Sequence, residues 1–129
     1  MKKLVLINPH PIGNVGEENV SVLNQMPVNL GYLKVLTPKH WEVDIIDETQ
    51  ELAFDENTGN ITFGGADLVG ITSVSYQAHR AYKIATACRK RGIPVIIGGI
   101  HATSYPEEAA KYVDCVVTRE AVTLWEKII

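Results

Sequence analysis

Three short segments hold most of the residue types that do chemistry at a bound ligand: NPHPIGNVGEEN (8–19), TSVSYQAH (72–79) and GGIHATS (98–104). Histidine supplies a donor, an acceptor or a metal ligand near neutral pH. Ser, Thr and Asn supply hydrogen bonds, and glycine lets a ligand approach the main chain closely. The histidines and acids that can be placed form no triad with a nucleophile, so the segments read as a binding site rather than a bond-making one. The two cysteines, Cys88 and Cys115, belong to no CxxC pair and read as buried free thiols, the alternative being a disulfide or metal pair.

The elements that position these segments alternate along the chain. Short apolar runs predict strands at Leu4–Ile7, Glu42–Ile46, Leu68–Thr72, Val95–Ile97 and Cys115–Val117. Several are continuous Val/Ile/Leu runs, as expected for strands buried on both faces. A helix opening near Pro27 is expected to turn Leu30, Leu33 and Val35/Leu36 inward. A second, Ala78 to Arg91, carries Ala78, Ala81, Tyr82, Ala85 and Cys88 on one face and stops at Gly92 in a left-handed conformation. Ser104 and Glu107 have the spacing of a capping box for a short helix through Tyr112, and a last helix starts near Arg119 or Glu120. Between strands two and three, Asn57–Asn60 suggests a turn and Ile61–Phe63 a short edge strand. The chain stops in LWEKII inside an amphipathic pattern, which suggests one domain of a longer protein.

Composition narrows the function classes. With 129 residues, 46% hydrophobic and 21% charged, the chain has the make-up of one soluble globular domain. A net charge of −3 offers no basic face for nucleic acid. The N-terminal apolar run ends at Ile7, too short for a signal peptide or a membrane span, so a cytoplasmic location is expected.

Five parallel strands with right-handed crossovers predict an α/β fold, a doubly wound sheet in the flavodoxin-like order 2-1-3-4-5. Ligands on such sheets bind beyond the carboxyl ends of the strands near the switch point, where the three segments converge. Gly13–Gly16 is only GxxG, not a dinucleotide fingerprint, and no GK[ST] phosphate loop occurs. Asp67 stands at the start of strand three rather than its end, against a phosphoryl-accepting receiver domain.

In order and spacing, MPVNLGYLKVLTP, WEVDIIDE, ADLVGITSVSYQAHRAYKIA, GIPVIIGGIHATSYPEEA and VDCVVTREA resemble the N-terminal cobalamin-binding domain of radical S-adenosylmethionine enzymes. That group includes methyltransferases, Fe-S oxidoreductases and the anaerobic magnesium-protoporphyrin monomethyl ester cyclase. The resemblance covers nearly the whole chain and implies a cobalamin-binding version of the predicted fold. In the wider cobalamin fold the first loop holds DxHxxG, whose histidine can become the lower cobalt ligand. Asn8-Pro9-His10-Pro11-Ile12-Gly13 matches with Asn for Asp, and neutral Asn orients an imidazole more weakly. His10 is either that cobalt ligand or a residue lining the pocket or exposed to solvent. The resemblance further implies that Ser73 and Ser75 face the cofactor's nucleotide tail and that Gly98-Gly99 let the tail pass the sheet. The alternative for the glycines is a tight strand-to-loop turn. His101 either hydrogen-bonds the ligand or caps its loop. Tyr76, with Tyr105 and Trp125, is positioned either to stack on a flat ring or to pack. Glu120 falls at a turn where relatives carry Gly-Glu, and Arg119 puts bulk beside it. An Asp or Leu in place of Gly99 is expected to abolish ligand binding while leaving the domain folded.

By the same resemblance the partner is a C-terminal radical S-adenosylmethionine domain of the same parent, carrying a [4Fe-4S] cluster and S-adenosylmethionine. Its CxxxCxxC motif is not in these residues, so the chain alone is expected to be catalytically inert. The competing expectation is a degenerate cobalamin fold that docks or regulates without binding cofactor. A third is a free-standing flavodoxin-like enzyme.

Overall fold

The computed structural model describes residues 2–9, 33–48, 50–55, 57–72 and 78–117, with Ile100 and His101 described by their backbone. The described elements, in chain order, are β1 (Lys2–Asn8), β2 (Trp41–Asp47), β3 (Phe54–Asp55), β4 (Asn60–Ile61), β5 (Leu68–Thr72), α1 (Ala78–Lys90), β6 (Val95–Gly98), α2 (Ile100–Ser104), α3 (Pro106–Ala109) and β7 (Cys115–Val116). The main sheet has five strands in the order β2-β1-β5-β6-β7. Every pairing in it is parallel. Counting only these strands, the order is the expected 2-1-3-4-5. The N-terminal apolar run is β1, near the middle of this sheet, with Leu4 to Ile7 fully buried.

Strand alternation divides the core in two. Val5, Ile7, Val69, Ile71, Val95 and Ile97 face α1, whose Ala81, Ile84, Ala85 and Cys88 pack against them. Leu4, Leu6, Leu68, Val43 and Ile45 face the other way and meet Leu33. On that second face Gly70 has no room for a side chain, because a Cβ built there would lie 2.9 Å from Leu6 Cδ2. The stop at Gly92 is as expected. Its φ is 76°, and Gly92 N donates to Arg89 O (3.0 Å) while Ile93 N donates to Cys88 O (3.1 Å), which satisfies two end carbonyls of the helix.

Four expectations need correction. Of the apolar residues expected to point inward, Leu33 is buried but Val35 is 82% exposed, and Leu36 is exposed as well. Two residues of helix turn the chain by about 200°, so Val35 lies nearly opposite Leu33. Leu30 lies outside the described residues. The expected edge strand is instead β4 of a separate antiparallel pair with β3. Phe54 and Ile61, register partners in that pair, bury themselves in the cluster on the α1 side of the sheet. The capping box does not form: Ser104 ends α2, and Tyr105 stands at the N-cap of α3 without a side-chain cap bond. Pro106 opens α3 and holds Tyr105 out of helical geometry, which moves the restart one residue past Ser104. Cys88 is buried as expected, whereas Cys115 is exposed.

Asp67 does structural work at the start of β5. Its Oδ2 accepts from Lys3 N (2.7 Å), and its own N–H donates to Lys3 O (2.8 Å). The last expected helix lies outside the described residues.

Candidate functional site

At the carboxyl ends of the strands the face shared by Leu4 and Leu6 changes character. Register and alternation place Asp47 of β2, Asn8 of β1, Thr72 of β5 and Gly98 of β6 in one row across the sheet. The row behind it is Ile45, Leu6, Gly70 and Ile96. An apolar floor therefore ends in an amide, a carboxylate, a hydroxyl and a gap. This is the arrangement a polar ligand seated on an apolar sheet requires.

Asn8 is buried, and its Nδ2 donates to Asp47 Oδ1 at 3.2 Å. The backbone closes the same corner, with Glu48 N donating to Asn8 O at 2.9 Å. This contact explains Asn at a position where the resemblance leads one to look for Asp. A second carboxylate at position 8 would face that of Asp47 across about the same distance, at an energetic penalty in a buried corner.

The two glycines that end β6 have different causes. At Gly98 φ is not positive, and a Cβ built there meets, among the described residues, only Val117, 3.8 Å from both its Cβ and its carbonyl oxygen. That is ordinary contact, so the described chain leaves room for a methyl group that the sequence omits. At Gly99 φ is 102°, a conformation that L residues rarely adopt, so the backbone itself calls for glycine. The tight-turn reading thus applies at Gly99, and the open-space reading remains at Gly98.

His101 lies in the first turn of α2, directly after these glycines. His10, Gly13, Ser73, Ser75, Tyr76 and Glu120 lie outside the described residues, as do Arg119 and Trp125. Tyr105 is exposed on the segment between α2 and α3. His79 is exposed on α1 and lines a groove of about 480 Å³ with Phe54, Tyr82, Lys83, Lys90 and Tyr112, on the outer side of that helix. The Tyr82 and Tyr112 rings stack there with centroids 4.2 Å apart. Burial and the neighbouring Glu108 push the Tyr82 hydroxyl up to about 12. Burial likewise pushes the Cys88 thiol up to about 12, which makes it unreactive at neutral pH. Among the described residues no group of three or more His, Cys, Asp or Glu is placed to hold a metal ion.

A buried ion pair braces this end of the fold, and sequence reading missed it. Glu48, just past β2, accepts from Arg80 Nε (2.9 Å), Arg80 Nη2 (2.8 Å) and Ala53 N (2.8 Å). Arg80 also donates to Phe54 O at 2.6 Å and lies over the Phe54 ring. The pair thus ties β2, the β3–β4 ribbon and the first turn of α1, which follows the loop after β5. Glu48 and Arg80 are 32 residues apart, so no local spacing announces them. Asp47 was also missed as a site residue, although counting alternate residues from the apolar ones of β2 reaches it.

The family model of the B12 binding domain matches residues 20–129. The chain belongs to the B12-binding domain family. Among curated proteins it is similar to bacteriochlorophyllide d C-8(2)-methyltransferase of Chlorobaculum tepidum, 40% identical over 111 residues, which is 82% of this chain and 23% of that protein. It is also similar to bacteriochlorophyllide d C-12(1)-methyltransferase of the same organism, 30% identical over 98% of this chain and 26% of that protein. The B12-binding domain here therefore spans about a quarter of the length of these relatives. No solved structure matches the chain significantly. The α/β sheet and its order agree with the cobalamin-binding fold expected from sequence. No helix among the described residues of this B12-binding domain is long and apolar enough to cross a membrane.

Proposed function

We propose that the protein is the cobalamin-binding module of a larger cytoplasmic enzyme of the radical S-adenosylmethionine type, in which a downstream domain carries the [4Fe-4S] cluster and S-adenosylmethionine. The observation that carries the reading is Gly98: a ligand lying along the sheet accounts for a missing side chain that packing within the described chain does not require. The residues present fit the cofactor. Gly98 leaves the opening, while the Asn8 amide and the Thr72 hydroxyl stand in the same row as hydrogen-bonding groups. The sequence segments that follow β1, β5, β6 and β7 contain His10, Gly13, Ser73, Ser75, Tyr76, His101 and Glu120, the further residues that the resemblance assigns to the cofactor.

When bound, cobalamin would supply methyl-carrying or one-electron chemistry that no side chain can provide. The chain's own part is to seat the cofactor, keep water from the buried corner at Asn8, and present the exposed face to the catalytic domain. His10 is the candidate protein ligand to cobalt, the alternative being a residue that lines the pocket or faces solvent. Among methyl transfer, oxidoreduction and cyclisation, the names of the two relatives favour methyl transfer, with a chlorophyll-type macrocycle as the parent's substrate. Asn8 does not favour a degenerate domain, because Asp47 accounts for it.

Titration with hydroxocobalamin, followed by visible absorption and calorimetry, tests the reading. Saturable binding with a spectral change is the expected result, and His10→Ala reports whether the spectrum includes an imidazole ligand. No binding at high micromolar cofactor, in this chain or in a longer protein containing it, rejects the module.

A further inference from the structure

Among the described residues Glu48 and Arg80 are the buried charged side chains, 0% and 3% exposed. Taking two charges out of water costs about what their attraction returns, and an apolar pair of similar volume often serves stability as well. The reach of this pair gives it another use. Glu48 follows Asp47 directly, and its N–H donates to Asn8 O at 2.9 Å, so its main chain is part of the ligand edge. Its carboxylate accepts from Ala53 N (2.8 Å) and, through both oxygens, from Arg80 Nε (2.9 Å) and Nη2 (2.8 Å). A two-bond fork of this kind fixes orientation as well as distance. Arg80 stands in the first turn of α1 and also donates to Phe54 O at 2.6 Å. The β1–β5 pairing ends at Ile7 and Ile71, one residue short of Asn8 and Thr72. Beyond that point the ion pair links the ends of β1 and β2 to the opening of the helix that follows β5.

We infer that Glu48 and Arg80 are positioning residues of the ligand edge: their two-bond fork holds the Asn8 end of β1 and the opening of α1 in one arrangement before a ligand arrives. A ligand seated along the row from Asp47 to Gly98 spans the point where the β1–β5 pairing stops. It therefore binds the molecules that keep this arrangement, and loosening the corner weakens affinity by the fraction that still does. Neither side chain needs to touch the ligand. The inference rests on the proposed cofactor reading for what occupies the edge, and on the ion-pair geometry for why the edge is rigid.

The test compares the wild-type protein with Arg80→Met, Arg80→Lys, the double variant Arg80→Met/Glu48→Gln, and Ile84→Ala, which opens a cavity at a buried position elsewhere on α1. Hydroxocobalamin affinity is measured by calorimetry well below each melting temperature, and exchange of the Glu48 amide proton is followed by NMR without ligand. Arg80→Met is expected to bind about tenfold more weakly, as when about a tenth of the folded molecules keep the corner. Arg80→Lys, which cannot repeat the fork, should fall between the two. In Arg80→Met the Glu48 amide should exchange faster than global unfolding explains. Ile84→Ala should lose stability on a similar scale and keep its affinity. The double variant should regain part of its stability without regaining affinity. Wild-type affinity in Arg80→Met, or in Arg80→Lys should the methionine variant not fold, overturns the inference. So does an equal loss of affinity in Ile84→Ala, or affinity that returns in step with stability in the double variant. If the wild-type protein binds no hydroxocobalamin, the cofactor reading fails; unchanged exchange of the Glu48 amide in Arg80→Met overturns the inference independently of it.

Discussion

Replacing Gly98 separates a glycine kept for a ligand from one kept for the chain. Its φ is not positive, so alanine meets no backbone penalty, and its Cβ would rest 3.8 Å from Val117. Removing a glycine from a compatible position stabilises a protein by about 0.4–1 kcal/mol through the unfolded chain, and a half-buried methyl adds a few tenths of a kcal/mol more. Gly98→Ala should therefore melt at or up to a few degrees above the wild type. A ligand lying on the same face would meet that methyl, and forcing a methyl into a filled contact costs about 1–3 kcal/mol, or about 5- to 150-fold in affinity. Thermal melting and hydroxocobalamin titration on the same samples measure both quantities. Gly99→Ala is the contrasting variant: at φ 102° a side chain brings about 1–3 kcal/mol of strain, so its melting temperature falls regardless of any ligand. Asp or Leu at Gly99 would therefore lower stability as well as any affinity, whereas Gly98→Ala tests the ligand alone. Wild-type affinity in a stable Gly98→Ala protein would refute the role assigned to the gap, and a clear drop in its melting temperature would refute the steric argument.

Three further outcomes follow from packing and charge. Gly70→Ala brings a methyl to 2.9 Å from the buried Leu6 side chain, so it should cost about 1–3 kcal/mol in denaturant unfolding, with Leu6→Val in the same chain relieving part of that. Arg80→Met strips the buried Glu48 of its cation and should cost about 3–5 kcal/mol; adding Glu48→Gln should restore a measurable part, and additive losses would show that the two groups are not coupled. The Cys88 thiol is raised from 9.0 to about 12 and the Tyr82 hydroxyl from 10.0 to about 12, so the unfolded chain releases both protons first. Stability should then be fully present below pH 9 and decline as pH rises toward 12, with Tyr82→Phe removing the share lost above pH 10; parallel melting curves for the two proteins would contradict the assigned cause.

The parts of the fold legible in the sequence are those governed by local rules. Short apolar runs, several of them continuous, marked the five strands of the sheet, and Gly92 before Pro94 marked the end of α1. The misreadings arose where a neighbour in sequence or space overruled a local preference. Ser104 and Glu107 have capping spacing, but Pro106 between them dictates where the helix restarts. Ile61 has strand character, yet it pairs with Phe54 because burying both against α1 uses their apolar surface better than an exposed sheet edge would. Val35 is apolar and helical, but the turn of the helix sets it opposite Leu33.

The site divides along the same line. Glycine- and hydroxyl-rich loops advertise themselves by composition, which is why Gly98 and the segments after β1, β5 and β6 could be singled out from sequence. Asp47 ends β2 and resembles an ordinary boundary residue until register places it beside Asn8. Register also changes the meaning of Asn8. Read along the chain, it is a weakened member of a loop motif. Read across the sheet, its amide is held by the carboxylate on the next strand, and Asp at position 8 would place two carboxylates in one buried corner. Whether a substitution at this edge weakens the site thus depends on the pair of strands, and the pair is the unit on which changes at positions 8 and 47 should be tested.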